Sequence, residues 1–328
     1  MSNHRQRHDL VERFLRSERW VDGPFTVAFL AAGEYNENYL VETNAGRFVF
    51  RINHGTQLRL DDQIAYEYTV LETVAPSGVT PKPLRLCRRH RDFPRGALLM
   101  DHLPGRHLDY ERDLRGAAEC FARIHTVPYD PGSGPLLVQA APVDDIVAEC
   151  RELLARHPDH PLPEHGDAIA RYMERVVELA GSASFGDEEL CVVNTEVNSG
   201  NFLVEDRCEH HRVRLVDWEK AVASYRYQDL GHFLVPTTTL WKTDYRFDPA
   251  TRRRFLQLYR DAAGLSESLD AIDERTELLE RTILLRAFSW VYMAWAEYTS
   301  GTRPITNEDT FATMRSYLEN IDQLLNVG

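Results

Sequence analysis

Through the first hundred residues, runs rich in apolar, β-branched and aromatic residues alternate with polar punctuation. Helical spacing predicts a short leading helix over 10–16, and β-rich runs predict strands over 25–32, 38–42 and 47–53. Asn44-Ala45-Gly46, between the last two strands, is a tight-turn signal that makes them a hairpin. Asp61 and Asp62 open a helix over 63–74, with acidic residues at its positive end, and Pro76, Pro81 and Pro83 close it. A short apolar strand over 97–100 stops at Pro104-Gly105. Beyond it the spacing turns helical, over 110–125, 143–156, 168–179, 250–263 and 272–298. One β-rich island interrupts these helices, at 190–193, 202–204 and 213–217. The pattern predicts an α+β chain: a small sheet with one helix over 1–101, then a larger, mostly helical part over 102–328 with a hairpin inside it.

Composition narrows the classes. A chain of 328 residues, 43% hydrophobic and 27% charged, is long enough for two lobes and has the balance of a soluble globular protein. Its net charge of −13 argues against a nucleic-acid partner, which needs a Lys/Arg-rich face, and suits a cationic or neutral ligand better. The five cysteines lack a C-x-x-C pair, so reduced thiols in a cytoplasmic protein are expected. Residues 1–9 are polar, without the apolar core of a signal peptide. The most apolar later stretch, 283–298, is broken by Arg286 and Glu297 and is too short to span a bilayer. No membrane partner is expected.

Four local features carry candidate chemistry. Gly33 sits in a hairpin turn, with Asn36, Asn38 and Tyr39 after it; such a turn can lay backbone N–H groups against phosphate oxygens, though by itself it is an ordinary turn. Arg51 falls mid-strand in Phe48-Val49-Phe50-Arg51-Ile52-Asn53, where a buried cation needs a partner, and helical Glu67 is the natural one. A polar loop between β segments, Asn194-Thr195-Glu196-Val197-Asn198-Ser199-Gly200-Asn201, sets a carboxylate five residues before an amide. That spacing lets one loop present a proton acceptor and a metal-ligating oxygen to the same space, although Thr195, Asn198 and Ser199 also suit a plain turn. Asp217 ends the apolar strand of Leu215-Val216-Asp217-Trp218-Glu219, where it can join Asn201 on one Mg²⁺.

In this order the features resemble the aminoglycoside phosphotransferase and choline kinase family, of protein-kinase-like fold, over nearly the whole chain. Gly33, Asn36 and Tyr39 match its G-x-x-N-x-x-Y turn, and Arg51 and Glu67 its strand cation and helical acid. Leu98 to Gly105 is similar to its hinge and Phe121-Ala122-Arg123-Ile124-His125 to its L/F-A-x-L/I-H helix end. Asn194 to Asn201 matches H-G-D-x-x-x-x-N in part, Asp217-Trp218-Glu219 matches D-W-E, and Asp229-Leu230 a later D-L pair. The resemblance implies a two-lobed fold that binds ATP or GTP with Mg²⁺. Gly33, Asn36 and Asn38 would lie at the phosphates, contacted by Arg51 with Glu67 steadying it. Met100, Asp101 and Leu103 would hold the base, Asn201 and Asp217 the metal, and Glu196 would take the place of the catalytic Asp. The implied activity is kinase transfer to a hydroxyl of a small polar or cationic molecule, an amine among the candidates.

The departures lie together. The family's His, Gly and Asp are Asn194, Thr195 and Glu196 here. Glu196 keeps a carboxylate but extends it by one C–C bond, roughly 1.5 Å, where about 1 Å of misplacement can cost ~10²-fold. Two alternatives share the fold: a nucleotide-binding pseudokinase or regulatory protein, and another phosphate-transfer chemistry such as AMP transfer. The acceptor is expected between Glu196, Asp217, Glu219 and the later helices. Trp290, Tyr292, Trp295 and Tyr298, with Glu297, could hold a cation there, while core packing is the commoner use of such a stripe. Cys208, His210 and His211, at a polar hairpin tip, lack a fourth ligand at zinc spacing and read as a solvated turn.

Overall fold

Helix α1 (Ser2–Ser17) leads into three antiparallel strands, β1 (Phe25–Ala32), β2 (Asn36–Thr43) and β3 (Gly46–Asn53). The computed structural model describes residues 2–33, 35–56, 58–182, 185–186, 188–207, 210–303 and 308–325. After helix α2 (Gln63–Val74), strands β4 (Pro83–Cys87) and β5 (Ala97–Asp101) complete a five-stranded antiparallel sheet of order β1-β2-β3-β5-β4. The Asp62 side chain caps α2 by accepting from the Ala65 N–H. α1 begins earlier than expected, at Ser2, and its Val11, Phe14 and Leu15 bury one stripe against Phe50 and Phe93 of the sheet region. β4 escaped sequence reading: it is a half-exposed edge strand without a clear alternation.

The remainder is mainly helical: β6 (Arg106–His107), α3 (Leu114–His125), α4 (Pro142–Ala155) and α5 (Pro163–Ser182) come first. Then follow β7 (Cys191–Val193), β8 (Phe202–Arg207), β9 (His210–Leu215), β10 (Val222–Ser224), α6 (Tyr227–Leu234), α7 (Pro236–Thr239), α8 (Pro249–Ala263), α9 (Leu269–Thr299), α10 (Glu308–Glu319) and α11 (Ile321–Leu325). α3 starts later than 110, because Asp113 turns back to accept from the Asp109 N–H at 2.9 Å and from Arg106. α6 was not foreseen, because seven of its eight residues are buried and no polar stripe remains to show a period.

α+β architecture with a sheet-bearing first lobe and a helical second one is the outcome. Hydrogen bonds tie the two parts together. Tyr66 of α2 donates to the Ala221 carbonyl at 2.7 Å, Gln63 donates to the Glu219 carbonyl at 2.7 Å, and the Leu215 N–H donates to Val79 at 2.9 Å. Cys87, Cys120, Cys150 and Cys191 are free thiols; Cys208 lies outside the described residues. Among the described residues no helix is long and apolar enough to cross a membrane.

Candidate active site

The β8–β9 hairpin explains how two residues far apart in sequence meet. Phe202 pairs with Leu215, so Asn201 just before β8 and Asp217 just after β9 share the hairpin's open end. The Val216 N–H donates to the Asn201 carbonyl at 2.9 Å and fixes that end. Asn201 Nδ2 donates to the Glu196 carbonyl at 2.7 Å, which leaves Oδ1 as the atom of that side chain suited to a cation. One carboxylate oxygen each of Glu196, Asp217 and Glu219 lies within 4.8 Å of the others. This all-oxygen donor set fits a hard divalent cation such as Mg²⁺.

The loop that carries Glu196 is anchored from below by Asp229 at the start of α6. Its two carboxylate oxygens accept the Asn194 and Thr195 N–H groups, each at 2.8 Å, and His125 Nε2 lies 3.2 Å away. His125 Nδ1 in turn meets the Tyr259 hydroxyl at 2.9 Å, a buried structural position. Thr195 adopts φ +65°, a conformation that a β-branched residue rarely takes and that costs of order 1–3 kcal/mol. Asn194 Nδ2 donates to the Asp217 carbonyl at 2.8 Å while its Oδ1 accepts from the Glu196 N–H at 2.9 Å. Thr195 Oγ1 donates to the Lys220 carbonyl at 3.1 Å, and Lys220 Nζ bonds Glu196 Oε1 at 2.5 Å.

From the sheet side, Arg51 of β3 is buried and touches the Glu67 carboxylate of α2. The same Nη1 reaches Asp217 Oδ1 at 3.0 Å, and Nε donates to Asn38 Oδ1 at 2.9 Å. Asn36 Nδ2 donates to Glu219 Oε2 at 2.6 Å and its Oδ1 accepts from Asn53 at 3.0 Å. Asn36 and Asn38, read from sequence as phosphate-side residues, are thus bonded to the acidic end of the hairpin and to Arg51. The Gly33 N–H donates to the Asn36 carbonyl at 2.9 Å, so in this conformation the turn closes on itself. A Cβ at Gly33 would meet nothing within 4 Å. In the hinge, Met100 is buried in β5, Asp101 and Leu103 are half-buried, and the Asp101 N–H donates to the Lys82 carbonyl at 3.0 Å.

The sequence places Glu219 in the D-W-E motif and beside the acceptor space but not among the metal ligands, whereas the structure sets its carboxylate in the cluster with Glu196 and Asp217. Glu219 is 7% exposed, and burial, with the charges of Asp217 and Glu67 beside it, pushes its carboxyl up to about 8. Burial likewise raises Glu67 and Glu196, while Arg51 and Lys220 respectively draw them back toward the ionised form. A carboxyl that holds its proton when folded and gives it up when unfolded makes the metal-free protein less stable as pH rises from about 5 to 8. Glu219→Gln removes that titrating carboxyl. Without metal, melting temperatures at pH 5.5 and 8 are expected to differ less for this variant than for the unaltered chain, by on the order of 2 kcal/mol in stability. Equal pH dependence would show that Glu219 does not hold the proton.

The aromatic stripe of α9 packs within the protein. Tyr292 stacks on His160 at 3.5 Å and Trp295 on Phe311 at 5.3 Å, while Arg303 lies over Trp290 at 5.9 Å and over Tyr298 at 5.2 Å. Glu297 pairs with Arg156 and Arg303. The cation these faces hold is the chain's own Arg303.

The fold is the two-lobed, kinase-like α+β architecture of phosphotransferases. The chain belongs to the phosphotransferase enzyme family, which its sequence matches over residues 26–274. Among solved structures, a protein of Ralstonia eutropha JMP134 provisionally named an aminoglycoside phosphotransferase superposes with a TM-score of 0.68 at 16% identity, covering 97% of this chain and 95% of its own. A choline/ethanolamine kinase family protein of Mesorhizobium loti gives 0.63 at 16% identity, with 93% and 89% covered. Spectinomycin phosphotransferase, solved with ADP and spectinomycin, gives 0.64 at 12% identity, with 96% and 97% covered. No curated protein matches the chain by sequence.

Proposed function

We propose that this protein is an ATP-dependent kinase that phosphorylates a hydroxyl of a small polar or cationic molecule. The observation that carries the reading is the meeting of Glu196, Asp217 and Glu219 within 4.8 Å, beside Arg51 and Asn201. A lobe over 1–101 would bind the nucleotide, its base at Met100 to Leu103 and its phosphates near Gly33 and Arg51. A lobe over 102–328 would supply the metal ligands and the acceptor side. Asp217 and Asn201 would hold Mg²⁺, with Glu219 as a further oxygen donor. Bound MgATP supplies the transferable γ-phosphoryl and neutralises its charge.

The remaining roles belong to the chain. Glu196 accepts the proton of the acceptor hydroxyl, a contribution of ~10²–10⁴-fold in general acid–base catalysis. Arg51, held by Glu67 and Asn38, offers a fixed positive charge to the phosphates, and positioning of this kind supplies most of the catalysis in phosphoryl transfer. The acidic cluster favours a cationic or neutral acceptor over an anionic one. The family relationship and the names of the structural neighbours, which include kinases of choline and ethanolamine and of spectinomycin, point the same way.

A thermal-shift titration tests the reading. MgATP is expected to stabilise the protein by about 2.7 kcal/mol at a hundred times its Kd. Glu196→Gln is expected to keep that shift and to lower turnover ~10²–10⁴-fold. Absence of any MgATP-dependent shift would sink the kinase reading, and a full shift without turnover across amines, sugars and alcohols would favour a nucleotide-binding regulator.

A further inference from the structure

We infer that Lys220 is a positioning residue that adapts this site to work with a glutamate in place of the shorter aspartate; the inference rests on the kinase reading above. Glu196 has one more rotatable bond than an aspartate, so its carboxylate has a larger set of positions to lose before it can face an acceptor. Lys220 removes that freedom by bonding Glu196 Oε1 at 2.5 Å, in a pocket where the two side chains are 18% and 23% exposed. The lysine's own starting point is fixed on three sides. Its carbonyl accepts from Thr195 Oγ1, the Glu219 carbonyl before it from Gln63, and the Ala221 carbonyl after it from Tyr66. Arg51 is bonded to Glu67, Asp217 and Asn38, and among the described residues Lys220 is the cation bonded to Glu196.

The three neighbouring departures form one unit with it. Asn194 bridges the Asp217 carbonyl and the Glu196 N–H, Thr195 holds the Lys220 carbonyl, and Glu196 holds the Lys220 ammonium. Each of the three side chains that replace His, Gly and Asp thus makes a bond, and two of the three bond Lys220. A loop that had merely lost its function would have no reason to convert all three changes into contacts with one short segment, 217–220. Lys220 is one of only three lysines in the chain, alongside Lys82 and Lys242.

Lys220→Met, which keeps the aliphatic stem, is expected to lower MgATP turnover, read as ADP and phosphate formed with water as the phosphoryl acceptor, about 10²-fold with the KM for ATP changed by under about threefold. Lys220→Arg, which keeps the charge, is expected to retain at least about a tenth of the rate. Because the lysine acts through Glu196, its loss and that of Glu196→Gln do not multiply, and the double variant turns over as slowly as Glu196→Gln alone. In the nucleotide-free protein, Lys220→Met removes a positive charge beside three carboxylates, and Mn²⁺ measured by calorimetry should bind about fourfold more tightly. Lys220→Arg and the Mn²⁺ titration keep the test decisive if Lys220→Met folds poorly. An unchanged rate in Lys220→Met, a collapsed rate in Lys220→Arg, multiplying losses in the double variant or unchanged Mn²⁺ affinity each overturn the assignment while leaving the kinase reading standing. No turnover in the unaltered protein, with no MgATP-induced shift, overturns both.

Discussion

Asp217→Asn is expected to lower MgATP turnover by at least about 10³-fold while leaving the fold intact. The fold should survive because Asp217 adopts φ +65°, and asparagine tolerates that left-handed conformation at least as well as aspartate. The side chain keeps its size, so the end of the β8–β9 hairpin need not move. What disappears is one negative charge from the place where Glu196, Asp217 and Glu219 converge and where Arg51 Nη1 is held at 3.0 Å. That charge is one of the hard-oxygen donors that the proposed site offers to a divalent cation. Turnover at saturating ATP, together with a Mg²⁺ titration followed by thermal shift, checks the expectation. Circular dichroism confirms that the variant is folded. A rate within tenfold of the unaltered chain would remove Asp217 from the centre of the chemistry.

The sequence disclosed those parts of the site that sit within one local segment. The five-residue interval between Glu196 and Asn201 is a property of one loop, and the loop's own bond from Asn201 Nδ2 to the Glu196 carbonyl follows from it. Strands β1 to β3 and helix α2 were legible for the same reason, since turn residues and a cap punctuate them. What stayed hidden depends on parts of the chain that meet only after folding. Asn36 and Glu219 are 183 residues apart, and no spacing rule links a turn in one lobe to a strand end in the other. Lys220 reaches Glu196 across the open end of a hairpin, and an exposed lysine after D-W-E would give the same sequence. The aromatic stripe of α9 has one amphipathic pattern whether its partner is a ligand or a segment of the same chain; here His160, Phe311 and Arg303 fill that role.

Asp229→Ala carries the largest expected effect on stability. Asp229 is fully buried and accepts the Asn194 and Thr195 N–H groups at 2.8 Å each, with His125 Nε2 at 3.2 Å. A carboxylate has no proton to donate, so Nε2 of His125 is the donor, while Nδ1 accepts from the Tyr259 hydroxyl. Removing the carboxylate strands three buried donors in a space that the alanine leaves partly empty. Breaking a buried charged network in this way typically costs about 3–5 kcal/mol. Thr195 adds to the loss, because its φ of +65° is held in place partly by the bond from its N–H to Asp229. Urea unfolding should therefore show a lower midpoint with an unchanged slope, and the rate should fall as the Glu196 loop relaxes. Asp229→Asn retains an acceptor oxygen for one N–H but turns an NH₂ toward the other, so an intermediate loss of about 2 kcal/mol is expected. A loss under about 1 kcal/mol in Asp229→Ala would mean that the loop holds its shape without this anchor, and that the contacts of Asn194, Thr195 and Lys220 alone suffice to fix Glu196.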